Sequence, residues 1–147
     1  MRKRCNRRPI TALPPRGLRP KLPVDQLRDL DLVHLVNLDT IHRGEADEDT
    51  LWAVVGGVLT WSMVASRLQR GEVEMDAQVA LTRRLVDHYR ACGRVEFTAD
   101  DYELAKTGTV VMGLLAADVD RPTAIMAAAW SEQRVDLMSA ACSRRFA

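Results

Sequence analysis

The longest stretch without a charged side chain, which includes Leu51 to Ser66, places the strongest constraint on the fold of this chain. Its apolar residues recur at intervals of three and four, which is the spacing of one face of a helix. One such seam comprises Leu51, Val54, Val58, Trp61, Ala65 and Leu68, and a second comprises Trp52, Val55, Leu59, Met63 and Ser66. The third side carries the small groups of Ala53, Gly57 and Thr60. Because a helix that is apolar on every side is buried on every side, this segment predicts the central helix of a domain.

Two adjacent glycines, Gly56 and Gly57, lie within this central helix. Each weakens a helix by about 1 kcal/mol relative to alanine. We expect them to allow close approach of a neighbouring backbone, and a kink in the helix is the alternative. The uncharged run is shorter than the roughly 18 apolar residues that indicate a membrane span, so we expect no contact with a membrane.

A length of 147 residues fits one domain, and 47% hydrophobic with 28% charged residues is typical of a globular protein. The sequence predicts an all-α, compact bundle of about five helices over residues 24–147, because no pair of segments has the pattern of β-strands. The other four helices are expected over Val24–Arg43, over about Val73–Ala91, from Thr98 as N-cap, and from Asp120 with Pro122. The expected stops are Gly44, Gly71 and Cys92-Gly93.

The apolar faces of two flanking helices are also expected to be buried. The face of the first helix comprises Leu27, Leu30, Val33, Leu38 and Ile41, widened by Leu32, Leu35 and Val36. The face of the fifth comprises Ile125, Met126, Ala129, Trp130, Leu137 and Met138. In the fourth helix, Gly108 and Gly113 again predict close backbone contact. His34, beside the first stripe, is expected to be a core or boundary histidine, with a ligand role as the alternative.

Charge is segregated along the chain, although its net value is only +1 at pH 7. Residues 1–23 hold eight basic residues and no acidic residue, whereas the rest of the chain holds 13 basic and 20 acidic residues, a net charge of −7. The same 23 residues hold five of the six prolines, which lack an amide donor and disfavour helix. We therefore predict an extended or disordered basic arm, residues 1–23, on an acidic body, residues 24–147.

The arm is the candidate binding site, because each phosphate that a cation neutralises releases counterions and so favours binding to nucleic acid. The predicted nucleic-acid-binding residues are Arg2, Lys3, Arg4, Arg7, Arg8, Arg16, Arg19 and Lys21. No aromatic residue lies among them, so stacking on single strands is not indicated. An acidic protein partner, or a solvated tail without a specific role, are the alternatives.

Three motifs of the body are weak evidence for chemistry. Tyr102 and Lys106 have the Y-x-x-x-K spacing of short-chain dehydrogenases, but no glycine-rich dinucleotide unit accompanies them. His88 and Cys92, four residues apart, supply only two metal ligands. Met63 to Tyr89 is the best candidate for a helix-turn-helix, yet its second helix would open with acidic residues that repel phosphate. We expect no catalytic site, metal or cofactor.

Three segments resemble known proteins: LTWSMVASRL (59–68), RVEFTADDYELAKTG (94–108) and DRPTAIMAAAWSEQRV (120–135). They are similar to a group of small helical proteins of bacterial phages and integrated mobile elements, over most of residues 24–138. The resemblance implies a helical fold and no activity that can be assigned to a residue.

The arm and the absence of a catalytic motif together predict a small, non-enzymatic accessory or regulatory protein that contacts nucleic acid through its arm. The alternative is a protein-binding module that modulates a host or defence complex. The odd number of cysteines and the lack of a signal-peptide pattern favour a cytoplasmic location.

Overall fold

The computed structural model describes residues 20–98 and 100–146, without the side chains of residues 145 and 146. This part of the chain forms five helices: α1 (Val24–His42), α2 (Glu48–Leu68), α3 (Glu72–Cys92), α4 (Asp101–Asp118) and α5 (Arg121–Phe146). Within the described ranges there is no strand, and one isolated antiparallel bridge joins Lys21 to Asp120. The predicted all-α class with five helices is confirmed.

α2 is the central helix, since it contacts each of the other four. Its two predicted seams supply most of the core, and the buried residues are Leu51, Trp52, Val54, Val55, Val58, Trp61, Val64 and Ala65. The N-terminal half of α2 packs against α1, α3 and the buried Cys142 of α5. Its C-terminal half packs against α3, α4 and Ala127 of α5.

The length and hydropathy of α2 would allow it to cross a membrane, and it alone among the described helices has both properties. The core helix of a soluble protein passes the same test, and 44% of this apolar window is buried inside the bundle. The finding is therefore compatible with the position of α2 at the centre of the fold.

The small third side of α2 is open, contrary to the prediction of burial all round. Ala53 is exposed, and Gly56, Gly57 and Thr60 are half-buried. A methyl group built on Gly56 would lie 3.5 Å from Cγ2 of Val135, and one on Gly57 would lie 3.5 Å from Nδ1 of His34. Both are ordinary van der Waals contacts with side chains. The prediction that a backbone approaches closely at these glycines is therefore wrong.

Most of the expected apolar face of α1 is exposed to solvent. Leu38 and Ile41 are buried, and Leu27 is half-buried. At least 40% of each of five other side chains is exposed: Leu30, Leu32, Val33, Leu35 and Val36. The reason is that α1 lies at the edge of the bundle and packs mainly on α2 and α4, so neighbours cover only part of its circumference.

The buried side of α5 also differs from the prediction, because small side chains rather than large ones face α2. Thr123, Ala127 and Ser131, spaced by four residues, are buried, and the Ser131 hydroxyl lies 2.7 Å from that of Thr60. Conversely, the large side chains of Ile125, Met126 and Leu137 are exposed, with exposed fractions between 44% and 69%. Small groups at this contact allow the two helices to approach closely.

Local chemistry sets the starts of α2 and α5. The Asp47 carboxylate accepts hydrogen bonds from the hydroxyl (2.7 Å) and the backbone N–H (2.8 Å) of Thr50, and these bonds lower the pKa of Asp47. The buried Asp120 accepts the corresponding bonds from Thr123, at 2.9 Å from the N–H and 2.8 Å from the hydroxyl. The predicted start of the fifth helix at Asp120 is confirmed.

Two other predicted boundaries need correction. α2 ends at Leu68 because Gln69 takes the left-handed conformation (φ 53°), and Gly71 (φ 68°) instead precedes α3. Asp100, and not Thr98, stands immediately before α4. The Thr98 hydroxyl donates to the Asp101 carboxylate at 3.0 Å.

A close approach does occur at Gly108, where α4 meets α3. A methyl group built there would overlap the Gln78 side chain, with only 2.6 Å to its Cγ. Gln78 is 3% exposed, and its Nε2 donates to the Leu104 carbonyl oxygen at 2.8 Å. The absence of a side chain at Gly108 thus makes room for a buried amide, whereas the prediction placed a backbone there.

Candidate nucleic-acid interface and neighbouring surfaces

The structure describes one of the eight predicted nucleic-acid-binding residues, Lys21, which is exposed. The other seven lie outside the described residues: Arg2, Lys3, Arg4, Arg7, Arg8, Arg16 and Arg19. The carbonyl oxygen of Pro20 accepts the backbone N–H of Arg121 at 2.7 Å, beside the Lys21–Asp120 bridge. The C-terminal end of the arm is therefore held at the N-terminus of α5.

Carboxylates neutralise several basic side chains of the body. Two of the described ion pairs join Lys106 to Glu103 (2.7 Å) and Arg84 to Asp101 (2.8 Å). The hydrogen bond between Arg84 and Asp101 raises the pKa of the guanidinium and lowers that of the carboxylate. Further pairs are Arg43 with Asp39, Arg90 with Asp87, and Arg70 with Asp118. These cations are less available to phosphate than unpaired ones.

An open groove runs along α2 between α1 and α5, here called the α1–α5 groove. Three adjoining depressions that share Gly57 form it. Its floor comprises Ala53, Gly56, Gly57, Thr60 and Trp61, and its walls include Leu30, Val33 and His34 of α1 and Ala128, Ser131 and Val135 of α5. Sequence patterns missed the groove because they predicted that the large side chains of its rim were buried.

His34 lies in the wall of this groove, opposite Gly57. Desolvation by burial lowers its pKa to about 4, so the imidazole is neutral at pH 7. A neutral, half-buried imidazole fits the predicted boundary position.

Tyr102 and Lys106 lie on one face of α4, as their spacing predicts. The Tyr102 ring stacks on His42 with 3.9 Å between ring centroids, and the Lys106 ammonium lies 4.7 Å from the same ring centroid. The cation therefore contacts the face of the ring, and the stack joins the end of α1 to the start of α4. This arrangement has a packing role that requires no dinucleotide.

The helix-turn-helix candidate places an acidic helix start where bases would be read. The residues in question, Glu72, Glu74 and Asp76, are all exposed at the N-terminus of α3. Phosphate would be repelled from this end of the helix, which argues against α3 as a recognition helix.

Spacing alone missed one group of side chains. His88 and Cys92, the pair predicted to be too few for a metal, are joined by Glu96 from the segment that follows α3. The ligand atoms of the three side chains all lie within 4.8 Å of one another. The four-residue spacing of His88 and Cys92 is visible in the sequence, whereas the position of Glu96 depends on how the chain turns after α3.

Comparison of the chain with protein-family models, with curated proteins and with solved structures gave no match.

Proposed function

We propose that this chain is a small, non-enzymatic accessory or regulatory protein that contacts nucleic acid electrostatically through residues 1–23. The observation that carries the proposal is the separation of charge, with eight cations and no acid in the arm against a net −7 in the rest of the chain. The cations of the arm attract a phosphate backbone, and the net negative charge of the body repels it. Contact is therefore directed to the arm.

Two structural features support this assignment. Ion pairs within the body reduce the number of cations that could replace the arm. The attachment of Pro20 to the start of α5 leaves 19 residues before it, which span up to about 65 Å when extended. That length exceeds one turn of duplex, roughly 34 Å. Because phosphate contacts carry no base information, binding should show little sequence preference.

The test compares two full-length variants that carry the same change in charge. The arm variant replaces Arg2, Arg4, Arg7 and Arg8 with glutamine, and the body variant replaces Arg28, Arg83, Arg94 and Arg121, which are all exposed. Titration of a labelled duplex at low salt should show affinity lower by on the order of tenfold or more for the arm variant, because contacts that release counterions are lost. The body variant should bind nearly as well as the unaltered protein.

Equal losses in the two variants would reject the arm as the site. If the unaltered protein failed to bind duplex or single-stranded nucleic acid at low salt, the electrostatic function itself would be rejected.

The α1–α5 groove favours a second candidate function, the binding of a protein partner. Four of the five floor residues are small, and the large apolar side chains at its edge include Leu30, Val33 and Ile125. Acidic residues also line it: Asp29, Glu132 and Asp136. The fitting partner is an amphipathic helix with an apolar stripe and basic flanks, since both surfaces would then be complementary.

A designed amphipathic helix of leucine and lysine tests this candidate. Because Trp61 lines the groove, its fluorescence should change saturably as the helix is added. Ala53→Arg on the floor should abolish the change, whereas Ala140→Arg, at an exposed site of α5 that does not line the groove, should preserve it. Equal binding by both variants would exclude the groove as the docking site.

A further inference from the structure

Three side chains of metal-ligand type meet where α3 ends. The Nε2 atom of His88 lies 3.0 Å from Oε1 of Glu96 and 3.3 Å from Sγ of Cys92. All three ligand atoms lie within 4.8 Å of one another. Cys92 is exposed, whereas His88 and Glu96 are half-buried, so a solvated ion has access to the cluster.

The local fold places these side chains together. His88 and Cys92 are four residues apart and so lie on one face of the last turns of α3. Gly93 then takes a left-handed conformation (φ 71°), with its N–H bonded to the Tyr89 carbonyl oxygen at 2.7 Å, and ends the helix. Val95 is only 5% exposed and belongs to the core, so the segment that carries Glu96 is held against the body.

The contacts of His88 distinguish a metal site from a catalytic relay. In a cysteine–histidine–carboxylate relay, the thiol and the carboxylate contact opposite nitrogens of the imidazole. Here both contact the same atom, Nε2. A thiol, a carboxylate oxygen and one imidazole nitrogen therefore converge on the same small volume, which is the arrangement that a shared cation requires.

Two of the three separations between ligand atoms, those that involve Nε2, fit a small tetrahedral ion, and the third is at most 4.8 Å. With zinc bonds of about 2.0 Å to nitrogen and oxygen and about 2.3 Å to sulfur, tetrahedral ligand atoms are separated by roughly 3.3–3.6 Å. The observed separations of 3.0 and 3.3 Å need to widen only slightly to admit the ion. Mixed sulfur, nitrogen and oxygen ligands suit zinc better than calcium or magnesium, which prefer oxygen.

The geometry points to a zinc-binding site formed by His88, Cys92 and Glu96, with a fourth position open to water. Binding links the end of α3 to the segment that leads into α4. Because zinc binds the thiolate, the proton of the Cys92 thiol is displaced when the ion binds.

Titration of the full-length, chelator-treated protein with Co²⁺, a spectroscopic substitute for Zn²⁺, tests this site. One equivalent should produce a thiolate-to-cobalt absorption band in the near ultraviolet, and Zn²⁺ should displace the cobalt and remove the band. Loss of an outer-shell partner costs metal sites about 10–100-fold in affinity, so loss of a ligand should cost at least as much. Cys92→Ala should lose the band, and His88→Ala and Glu96→Gln should weaken binding.

The matched thiol control is Cys142→Ala, which removes a cysteine that is 0% exposed and is not one of the three ligands. It should retain the band and the stoichiometry. Circular dichroism of the Cys92, His88 and Glu96 variants, without metal, should show unchanged helix content, because none of these three side chains belongs to the buried core. Absence of the band in the unaltered protein, or a band of equal intensity in Cys92→Ala, would overturn the assignment.

Discussion

Replacing Gly108 with alanine should destabilise this protein, although the same replacement ordinarily stabilises a helix by about 1 kcal/mol. The new methyl group would lie 2.6 Å from Cγ of Gln78, too close for any real contact. Gln78 is 3% exposed, so it must move within a packed region and give up its 2.8 Å bond to the Leu104 carbonyl oxygen. Overpacking costs about 1–3 kcal/mol and an unsatisfied buried group about 1–3 kcal/mol, so after the gain of about 1 kcal/mol from alanine the expected net loss is about 1–5 kcal/mol.

Gly57→Ala is the matched control, because its methyl group would meet only the His34 ring, at 3.5 Å from Nδ1 and 3.9 Å from Cε1. It should stabilise α2 by up to about 1 kcal/mol. The two substitutions should therefore change the free energy of unfolding in opposite directions. Urea unfolding, followed by circular dichroism and tryptophan fluorescence, measures both changes. In a double-mutant cycle, Gln78→Ala should remove most of the penalty at Gly108. Equal or greater stability of Gly108→Ala would refute the described contact between α3 and α4.

Three other changes test separate parts of the fold. Trp61→Ala, which removes a ring that is 8% exposed, should cost about 3–4 kcal/mol in urea unfolding, near the lower end of the range for tryptophan because the space opens into the α1–α5 groove. Asp120→Ala should cost about 1–2 kcal/mol by removing the cap of α5, and an unchanged unfolding midpoint would contradict that role. For His34, the folded pKa of about 4 lies below the unfolded value of 6.5, so the unfolded chain binds the proton first. The free energy of unfolding should therefore be unaffected by His34 above pH 6.5 and should fall by up to about 3 kcal/mol as the pH is lowered from 6.5 to 4. His34→Gln should remove this pH dependence.

Local signals predicted the parts of the fold that depend on neighbouring residues in the sequence. The uncharged apolar run identified α2 as the core helix, and Asp120 and Gly93 correctly marked the start of α5 and the end of α3. Each of these features depends on a periodic pattern or on backbone chemistry within a few residues.

The sequence could not show which face of a flanking helix meets the core. On α5, the buried Thr123, Ala127 and Ser131 carry little hydrophobic signal, whereas the exposed Ile125 and Leu137 carry much of it. Burial there depends on how closely α5 approaches α2, a property of the pair of helices. Consequently the α1–α5 groove was missed, and the glycines that form its floor were assigned to helix contact.

The candidate sites were predictable to different degrees. The arm follows directly from charge counting, and its contact with nucleic acid remains a proposal. Two of the three ligands at the end of α3 are visible as the spacing of His88 and Cys92. Glu96 could not be assigned in the same way, because its approach to His88 requires the turn at Gly93.

Contact between the arm and phosphate is tested most directly by the salt dependence of duplex binding by the full-length protein. If all eight cations contact phosphate, the slope of log affinity against log salt approaches about −7, and replacing Arg2, Arg4, Arg7 and Arg8 should make it less steep by up to about 3.6. Replacing Arg28, Arg83, Arg94 and Arg121 should leave the slope nearly unchanged. Binding that is insensitive to salt, or a slope that responds to the body substitutions instead of those in the arm, would contradict the proposed function.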